Sequence, residues 1–252
     1  MGNRLLDTIA AGVAVLVFSH VLLAQTPARP GPGAAKAQTP DLTGVWGAPD
    51  WDSDPDVHSP PPAVVEANRE PIPYQKWAEE KYRYAKDPFN DRVRIELDPT
   101  NRCFPPAPTQ LMSNRDPFEI IPTPKRVIIF SEFNREVRQV WMDEQHPKDL
   151  DPAWMGHSTG KWVGDTLVVD TIGIDDRNSW GGFVHTDALH VVERFRRVDH
   201  DTLEIAMTIE DRKAYTKPWT RKITRKLRPD WKIIPSVLCD ERYKVGIYGD
   251  TY

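Results

Sequence analysis

The chain has 252 residues, with 33 Lys and Arg against 37 Asp and Glu, which gives a formal net charge of −4 at pH 7. This near-neutral balance excludes a dedicated nucleic-acid-binding protein, which usually carries a basic excess. The 39% hydrophobic and 10% aromatic content excludes wholesale disorder, and the presence of only 2 cysteines excludes a disulfide-dense miniprotein and a four-cysteine zinc site.

Residues 1–24 have the layout of a secretory signal peptide. A short polar start with Arg4 precedes an apolar run from Ile9 to Ala24, and Ala24 is a small residue that suits a cleavage site. The run is shorter than the roughly 20 residues that cross a bilayer. We therefore predict a periplasmic or secreted protein, and an uncleaved N-terminal anchor is the only membrane contact that we expect as an alternative.

The next residues, 25–40, are rich in Pro, Ala and Gly and have no apolar periodicity, which predicts a disordered tether. We assign residues 41–252 to a single domain. Within it, the segment from Tyr74 to Lys86 places apolar residues near one face and charges on the other, and prolines flank it, so we predict one helix there.

From Pro117 onward, short runs of alternating apolar and polar residues are separated by turn signals, which predicts an antiparallel meander. A long meander protects its edges most simply by closing into a barrel. The expected fold is therefore all-β and mainly antiparallel, with an N-terminal arm and one short helix. The predicted strands cover residues 127–130, 137–141, 161–170, 189–198, 202–209, 219–227 and 231–239, and a Gly164-Asp165 turn is expected to divide 161–170 into two short strands.

The motif Gly44-Val45-Trp46 at the entry to the first strand resembles the opening of the lipocalin and wider calycin barrels. The resemblance implies that Trp46 closes one end of a calycin-like barrel. It also implies that a basic residue late in the chain packs over the tryptophan, and Arg225 and Arg228 are both candidates for that role.

A second resemblance extends from Asp41 to Glu241. It rests on the segments 98–106, 117–120, 154–158, 164–170, 185–190, 193–195 and 214–219. Together they resemble a large group of secreted, mostly uncharacterised bacterial proteins. The residues that follow the first segment, 107–110, depart from the pattern of that group. The resemblance implies an exported β-rich domain and brings no established activity with it.

The two cysteines, Cys103 and Cys239, both follow the signal segment. In an oxidising compartment an even pair is most simply one disulfide, which would close a loop of more than a hundred residues. A catalytic cysteine is the alternative, although neither cysteine has a histidine beside it in the sequence.

Polar residues that could carry chemistry are concentrated between residues 154 and 193. The segment 173–186 has no strand pattern, and irregular connections of this kind often form binding loops. The predicted catalytic residues are His157, His185, His190 and Asp176. The predicted ligand-binding residues are Trp154, Asp170, Arg177, Trp180, Phe183 and Glu193.

Three chemistries compete for these residues. The polar groups would orient an organic ligand in the barrel mouth, a histidine would act as a general acid or base beside a carboxylate, or His157, His185 and His190 would bind a divalent metal. We predict no cofactor, because the sequence lacks the close histidine spacing that usually marks a metal site. Each histidine taken alone is also compatible with a structural role.

Two groups of cations lie on predicted strands. Arg194 and Arg196 are expected to form a solvated ladder with Glu204 on the neighbouring strand. The basic residues of the segment 217–228 are expected to protect an edge strand, and an anionic ligand or surface is the alternative.

The sequence therefore favours an exported barrel that binds a small organic molecule. A cofactor-independent hydrolase, lyase or isomerase that uses a histidine acid/base is the second hypothesis. A periplasmic interaction subunit, with the proline-rich segments as contact surface, is the third.

Overall fold

The computed structural model describes residues 40–49, 71–85, 99–178 and 184–234. The signal peptide, the tether, Trp180, Phe183 and Cys239 lie outside these residues. Cys103 is described and exposed, but its predicted disulfide to Cys239 stays a prediction. Among the described helices, none is long and apolar enough to cross a membrane.

Nine strands form a closed barrel in which each strand lies beside the next in chain order, so the predicted all-β barrel is confirmed. The strands are β1 (Gly44–Gly47), β2 (Phe118–Pro122), β3 (Arg126–Ser131), β4 (Val137–Met142), β5 (His157–Val163), β6 (Thr166–Ile172), β7 (His190–Asp199), β8 (Thr202–Glu210) and β9 (Trp219–Leu227). The described residues also form two α-helices, α1 (Lys76–Ala85) and α2 (Pro108–Ser113). The helix predicted from Tyr74 corresponds to α1, whereas α2 was not expected.

All neighbouring strands are antiparallel except β4 and β5, which run parallel through the pairs Val140–Ser158, Trp141–Thr159 and Met142–Gly160. The connection 143–156 makes this step possible, because parallel neighbours need a connection long enough to return the chain to the same end of the sheet. The predicted last strand is wrong for residues 231–234, which form no strand. Pro235 follows directly and interrupts the apolar run.

Buried and partly exposed residues alternate along the strands, so that one set points into the barrel and the other points to its outside. In β6, Leu167, Val169 and Thr171 are buried, and the residues between them are partly exposed. Side chains that point inward from the strands build one hydrophobic core, which includes Phe118, Ile129, Phe195 and Leu203. The outward-pointing residues of β5 to β9 therefore share one solvent-facing wall.

Trp46 lies at the base of this core with 0% of its surface exposed, and its indole Nε1 donates to the Leu42 carbonyl at 3.0 Å. Gly44 has φ +136°, and a Cβ there would lie 2.7 Å from Leu227 Cδ1, so the first residue of the motif must be glycine. The basic residue over Trp46 is Arg197, whose guanidinium carbon is 5.3 Å from the ring centroid.

The assignment of Arg225 or Arg228 to this position is therefore wrong. Arg225 packs instead over Phe118, at 5.8 Å, and donates to the Met112 carbonyl at the end of α2 at 2.9 Å. Arg228 packs over Trp231 at 4.7 Å. Arg225 on β9 thus reaches α2, Arg228 donates to the Ala48 carbonyl after β1 at 3.0 Å, and β7 brings Arg197 to Trp46.

Candidate active site

Three of the predicted site residues meet on the outer wall of the barrel. His157 begins β5, Asp170 lies near the end of β6, and His190 begins β7. Register places His157 opposite Ile172 and Asp170 opposite Val192. Because side chains alternate between the faces of a strand, all three point away from the core at the same end of three neighbouring strands.

A fourth residue, His146 from the connection between β4 and β5, joins them into a chain of hydrogen bonds. Its Nδ1 lies 2.9 Å from His157 Nδ1, and its Nε2 lies 2.9 Å from Asp170 Oδ1. The other oxygen of Asp170 lies 2.9 Å from His190 Nε2. We call these four residues, His157, His146, Asp170 and His190, the relay.

The acceptor chemistry of Asp170 fixes the protons of the relay. An ionised carboxylate only accepts, so His146 and His190 each donate an Nε2–H to it. A neutral His146 then accepts at Nδ1 the proton that His157 donates from its own Nδ1. When all three histidines are neutral, this arrangement leaves Nδ1 of His190 and Nε2 of His157 without a proton, one at each end of the relay.

Electrostatics support an ionised Asp170 between the two imidazoles. Partial burial alone would raise its pKa, but the hydrogen bonds from His190 and His146 outweigh this effect, and the pKa lies below the usual value. Burial, followed by the neighbouring His146, lowers the pKa of His157. The relay therefore favours a carboxylate at its centre and a neutral imidazole at the His157 end.

The His190 end of the relay opens onto a cleft of about 340 Å³ lined by Ala188, His190, Glu210 and Arg212. His190 Nδ1 lies 3.9 Å from Glu210 Oε2, and the side chains of His190 and Asp170 are 36% and 40% exposed. The volume lies within the range of small-ligand pockets. The side chain of His190 is thus accessible to a small molecule in the cleft.

Behind the relay, inside the barrel, lies a second polar group that we call the lumen network: Arg138, Ser158, Thr171 and Glu193. Arg138 donates from Nη1 to Glu193 Oε1 at 3.0 Å and from Nη2 to the other carboxylate oxygen. Arg138 Nη2 also donates to Ser158 Oγ at 3.2 Å and to Thr171 Oγ1 at 3.1 Å. The ion pair is 1% and 0% exposed, so Glu193, which we predicted to bind a ligand, faces the lumen.

The remaining predicted residues lie outside the relay. His185 is buried, burial lowers its pKa, and its Nδ1 lies 3.1 Å from the Thr186 carbonyl oxygen. Arg177 forms an ion pair with Asp175 and lies 4.9 Å over the ring of Trp154, which also stacks on Phe104 at 4.7 Å. Asp176 is exposed on the neighbouring 3₁₀ turn.

Sequence reasoning missed His146 and Arg138. His146 lies in an irregular connection, where no periodicity indicates which way a side chain points. Arg138 lies in a recognised strand, but its burial contradicts the rule that arginine faces solvent. One signal was available: Arg138 is two residues from Val140 and therefore shares its face of the strand. Val140 is buried, whereas Val137 on the other face is exposed.

The relay differs from a metal site. His146 uses both ring nitrogens for two different partners, whereas ligands of one ion must converge on a single point. No group of three or more His, Cys, Asp or Glu among the described residues is placed to hold a metal ion.

Comparisons with known proteins add no assignment to this geometry. No protein-family model matches the chain, and a search of curated proteins finds no significant match.

Proposed function

We propose that the outer wall at the relay is an acid–base catalytic site for a small organic molecule bound in the cleft beside His190. The observation that carries this proposal is the Asp170 carboxylate, which accepts hydrogen bonds at 2.9 Å from both His146 and His190. A carboxylate that fixes the tautomer of a histidine and leaves its other nitrogen facing a ligand is a recurring arrangement for general base catalysis.

In the proposed mechanism His190 Nδ1 removes a proton from the bound molecule or from a water. Asp170 stabilises the imidazolium that forms, because its carboxylate accepts the Nε2–H bond throughout the step. The imidazolium then returns the proton to the product, so that the histidine ends as it began. Glu210, 3.9 Å from Nδ1, adds negative charge beside the developing cation.

The residues of the cleft narrow the reaction class. Of the four described residues that line it, Ala188, His190, Glu210 and Arg212, none is a serine or cysteine nucleophile. The arrangement therefore favours proton transfer, as in an isomerase or lyase, or hydrolysis by an activated water over a covalent intermediate.

The first test requires no knowledge of the substrate. Long-range ¹H–¹⁵N NMR of the imidazoles distinguishes the two tautomers of each histidine. We expect His190 to carry its proton on Nε2, and we expect Asp170→Asn to remove that preference. A neutral His190 with its proton on Nδ1 in the wild-type protein contradicts the proposal.

The second test measures turnover. A panel of activated esters, together with solvent deuterium incorporation into small carbonyl compounds, covers water activation and proton abstraction. We expect His190→Asn and Asp170→Asn to lower any detected rate about 10²–10⁴-fold. The matched control is His200→Asn, since His200 also pairs with an aspartate, Asp201, but on an exposed turn. Equal rates in all three variants contradict the proposal.

Binding without turnover is the second candidate, and Arg212 favours it. Its side chain is exposed and forms no ion pair with any residue that the structure describes, so the cleft offers a free cation to an anionic group. Ligand binding that survives in His190→Asn, with no turnover in the wild type, would support this candidate over catalysis.

Export is part of the same proposal. It rests on the sequence pattern of residues 1–24, and we propose a periplasmic or secreted location with a Cys103–Cys239 disulfide. Mass spectrometry of the purified protein, with thiol alkylation before and after reduction, measures both the cleavage position and the pairing.

A further inference from the structure

A second feature of the outer wall lies beside the relay. It passes through Val168, the outward-pointing residue that precedes Asp170 on β6. Register aligns five residues in one line across five strands: Lys161 opposite Val168, Val168 opposite Arg194, Arg194 opposite Ala206, and Ala206 opposite Lys222. We call the three cations of this line, Lys161, Arg194 and Lys222, the cation row.

The three cations are unlike the other charged residues of this wall. All three are exposed, and none forms an ion pair with a residue in the described part of the chain. By contrast, Arg196, in the next line of the same wall, bonds to Asp165 at 2.9 Å and lies opposite Glu204. The cation row is therefore a line of uncompensated positive charge beside a line in which the charges are balanced.

Edge protection does not account for Arg194 at the centre of this row, because Arg194 pairs with Val168 on β6 and with Ala206 on β8. Lys161 and Lys222 each pair with a neighbouring strand on one side only at their own positions. Cations that protect an edge belong on strands with an unpaired side. The two residues between the cations, Val168 and Ala206, are only partly exposed. Their short apolar side chains therefore separate the three charged groups on the surface.

From this arrangement we propose that the cation row binds an acidic polysaccharide, a chain that bears carboxylate or sulfate groups. Neighbouring cations lie two strands apart, which corresponds to about 10 Å. An extended polymer with an acidic group on each sugar offers anions at intervals short enough to reach all three. Three weak ion pairs on one flexible chain add by multivalency.

The shape of the wall separates this ligand from other polyanions. The row runs across the strands and thus around the convex barrel, so a flat bilayer would meet only part of it. A flexible chain can follow the curve. Proteins that bind single-stranded nucleic acid combine a basic groove with aromatic side chains on which the bases stack, whereas the positions between these cations carry valine and alanine.

The row also lies close to the relay. Val168 precedes Asp170 by two residues on β6, a distance of about 7 Å along a strand. Binding along the row stands independently of catalysis. If the proposed function holds as well, the sugar next to the row is the part of the polymer that the relay would reach.

The experiment measures binding of the full chain to polygalacturonate by isothermal titration calorimetry, at low and at physiological salt. Uncharged dextran is the neutral polymer control. The variant K161Q/R194Q/K222Q removes the row, and K125Q/K148Q/K232Q removes three other exposed lysines with the same change in net charge. Circular dichroism shows whether each variant keeps the fold.

We expect the row variant to weaken polygalacturonate binding about tenfold and to reduce its salt dependence, while the matched variant changes affinity less than about twofold. Equal losses in both variants, no binding by the wild type, or tighter binding to anionic lipid vesicles or oligothymidine overturns the proposal. Binding that persists in Asp170→Asn, with turnover lost, separates this result from the proposed function.

Discussion

The lumen network and the relay occupy opposite faces of the same strands. Ser158 and Thr171 point inward and belong to the lumen network, while their chain neighbours His157 and Asp170 point outward and belong to the relay. Both groups are built around a carboxylate that accepts hydrogen bonds from cationic or potentially cationic partners. They differ in burial, since Glu193 is 0% exposed and Asp170 is 40% exposed.

This difference separates a structural role from a chemical one. Inside the barrel both oxygens of Glu193 bond to Arg138, an arginine that does not release its proton. On the outside, Asp170 bonds to the imidazoles of His146 and His190, and Nδ1 of His190 makes no hydrogen bond to a described residue. The same barrel wall therefore holds a fully buried ion pair on one face and partly exposed imidazoles on the other.

The largest effect is expected from Arg138→Met, which breaks the lumen network and leaves Glu193 buried without its cation. Removing one partner of a buried ion pair costs about 3–5 kcal/mol, so we expect a loss of this size in the free energy of unfolding. Denaturant unfolding monitored by tryptophan fluorescence measures it.

Two variants control this measurement. The double variant R138M/E193L replaces both charges with apolar side chains and should recover most of the loss. Arg126→Met removes an arginine from the outer face of the neighbouring strand β3, where it contacts Gln139 and Trp141, and should cost less than about 1 kcal/mol. If Arg138→Met is as stable as the wild type, the Arg138–Glu193 ion pair does not stabilise the fold, and the structural role assigned to the lumen network is wrong.

A smaller effect is expected at Glu136, a partly buried residue that precedes β4 and forms no ion pair within the described part of the chain. Burial raises its pKa to about 7, so the folded protein holds this proton more tightly than the unfolded chain. Stability is then highest at low pH and falls as the pH rises from about 4.5 to about 7. We expect Glu136→Gln to stabilise the protein by about 1 kcal/mol at pH 8, after allowance for its partial exposure.

The gain should be small at pH 4, where the carboxyl is neutral in the folded protein and mostly neutral in the unfolded chain. Glu119→Gln, on the outer side of β2, makes the same substitution at another partly exposed strand residue and is the control. Thermal unfolding at the two pH values distinguishes the variants. A gain of equal size at both pH values would assign it to the amide itself and not to the removal of a buried charge.

The sequence predicted the strands well because their signal is local. Leu203, Ile205, Met207 and Ile209 alternate in β8 and are all buried, and the Gly164–Asp165 turn separates β5 from β6 as expected. Period-two patterning and turn residues do not depend on distant parts of the chain.

The site was only partly predictable because it depends on register and on an irregular connection. His157, Asp170 and His190 were named, but their contact follows from pairing across three strands, and a shift of one residue would turn each to the other face. His146 reaches Asp170 from the connection 143–156, whose path no sequence pattern determines. Glu193 was named as a ligand-binding residue, and it is the register of the strands that turns it towards the lumen.

The smallest effect on stability is expected from Asp170→Asn, and this contrast with Arg138→Met sharpens the comparison. Asp170 is partly exposed, so its hydrogen bonds to two imidazoles contribute less than about 1 kcal/mol to the free energy of unfolding. Its folded pKa lies below the ordinary 3.8, so that contribution is present above pH 3.8 and is lost as the pH falls through the folded value. Wild type and variant should thus differ slightly at pH 6 and converge in strong acid, as denaturant titrations at each pH would measure. A loss as large as that of Arg138→Met would mean that the relay holds the barrel together, and its exposed nitrogens would then be incidental to that structural role.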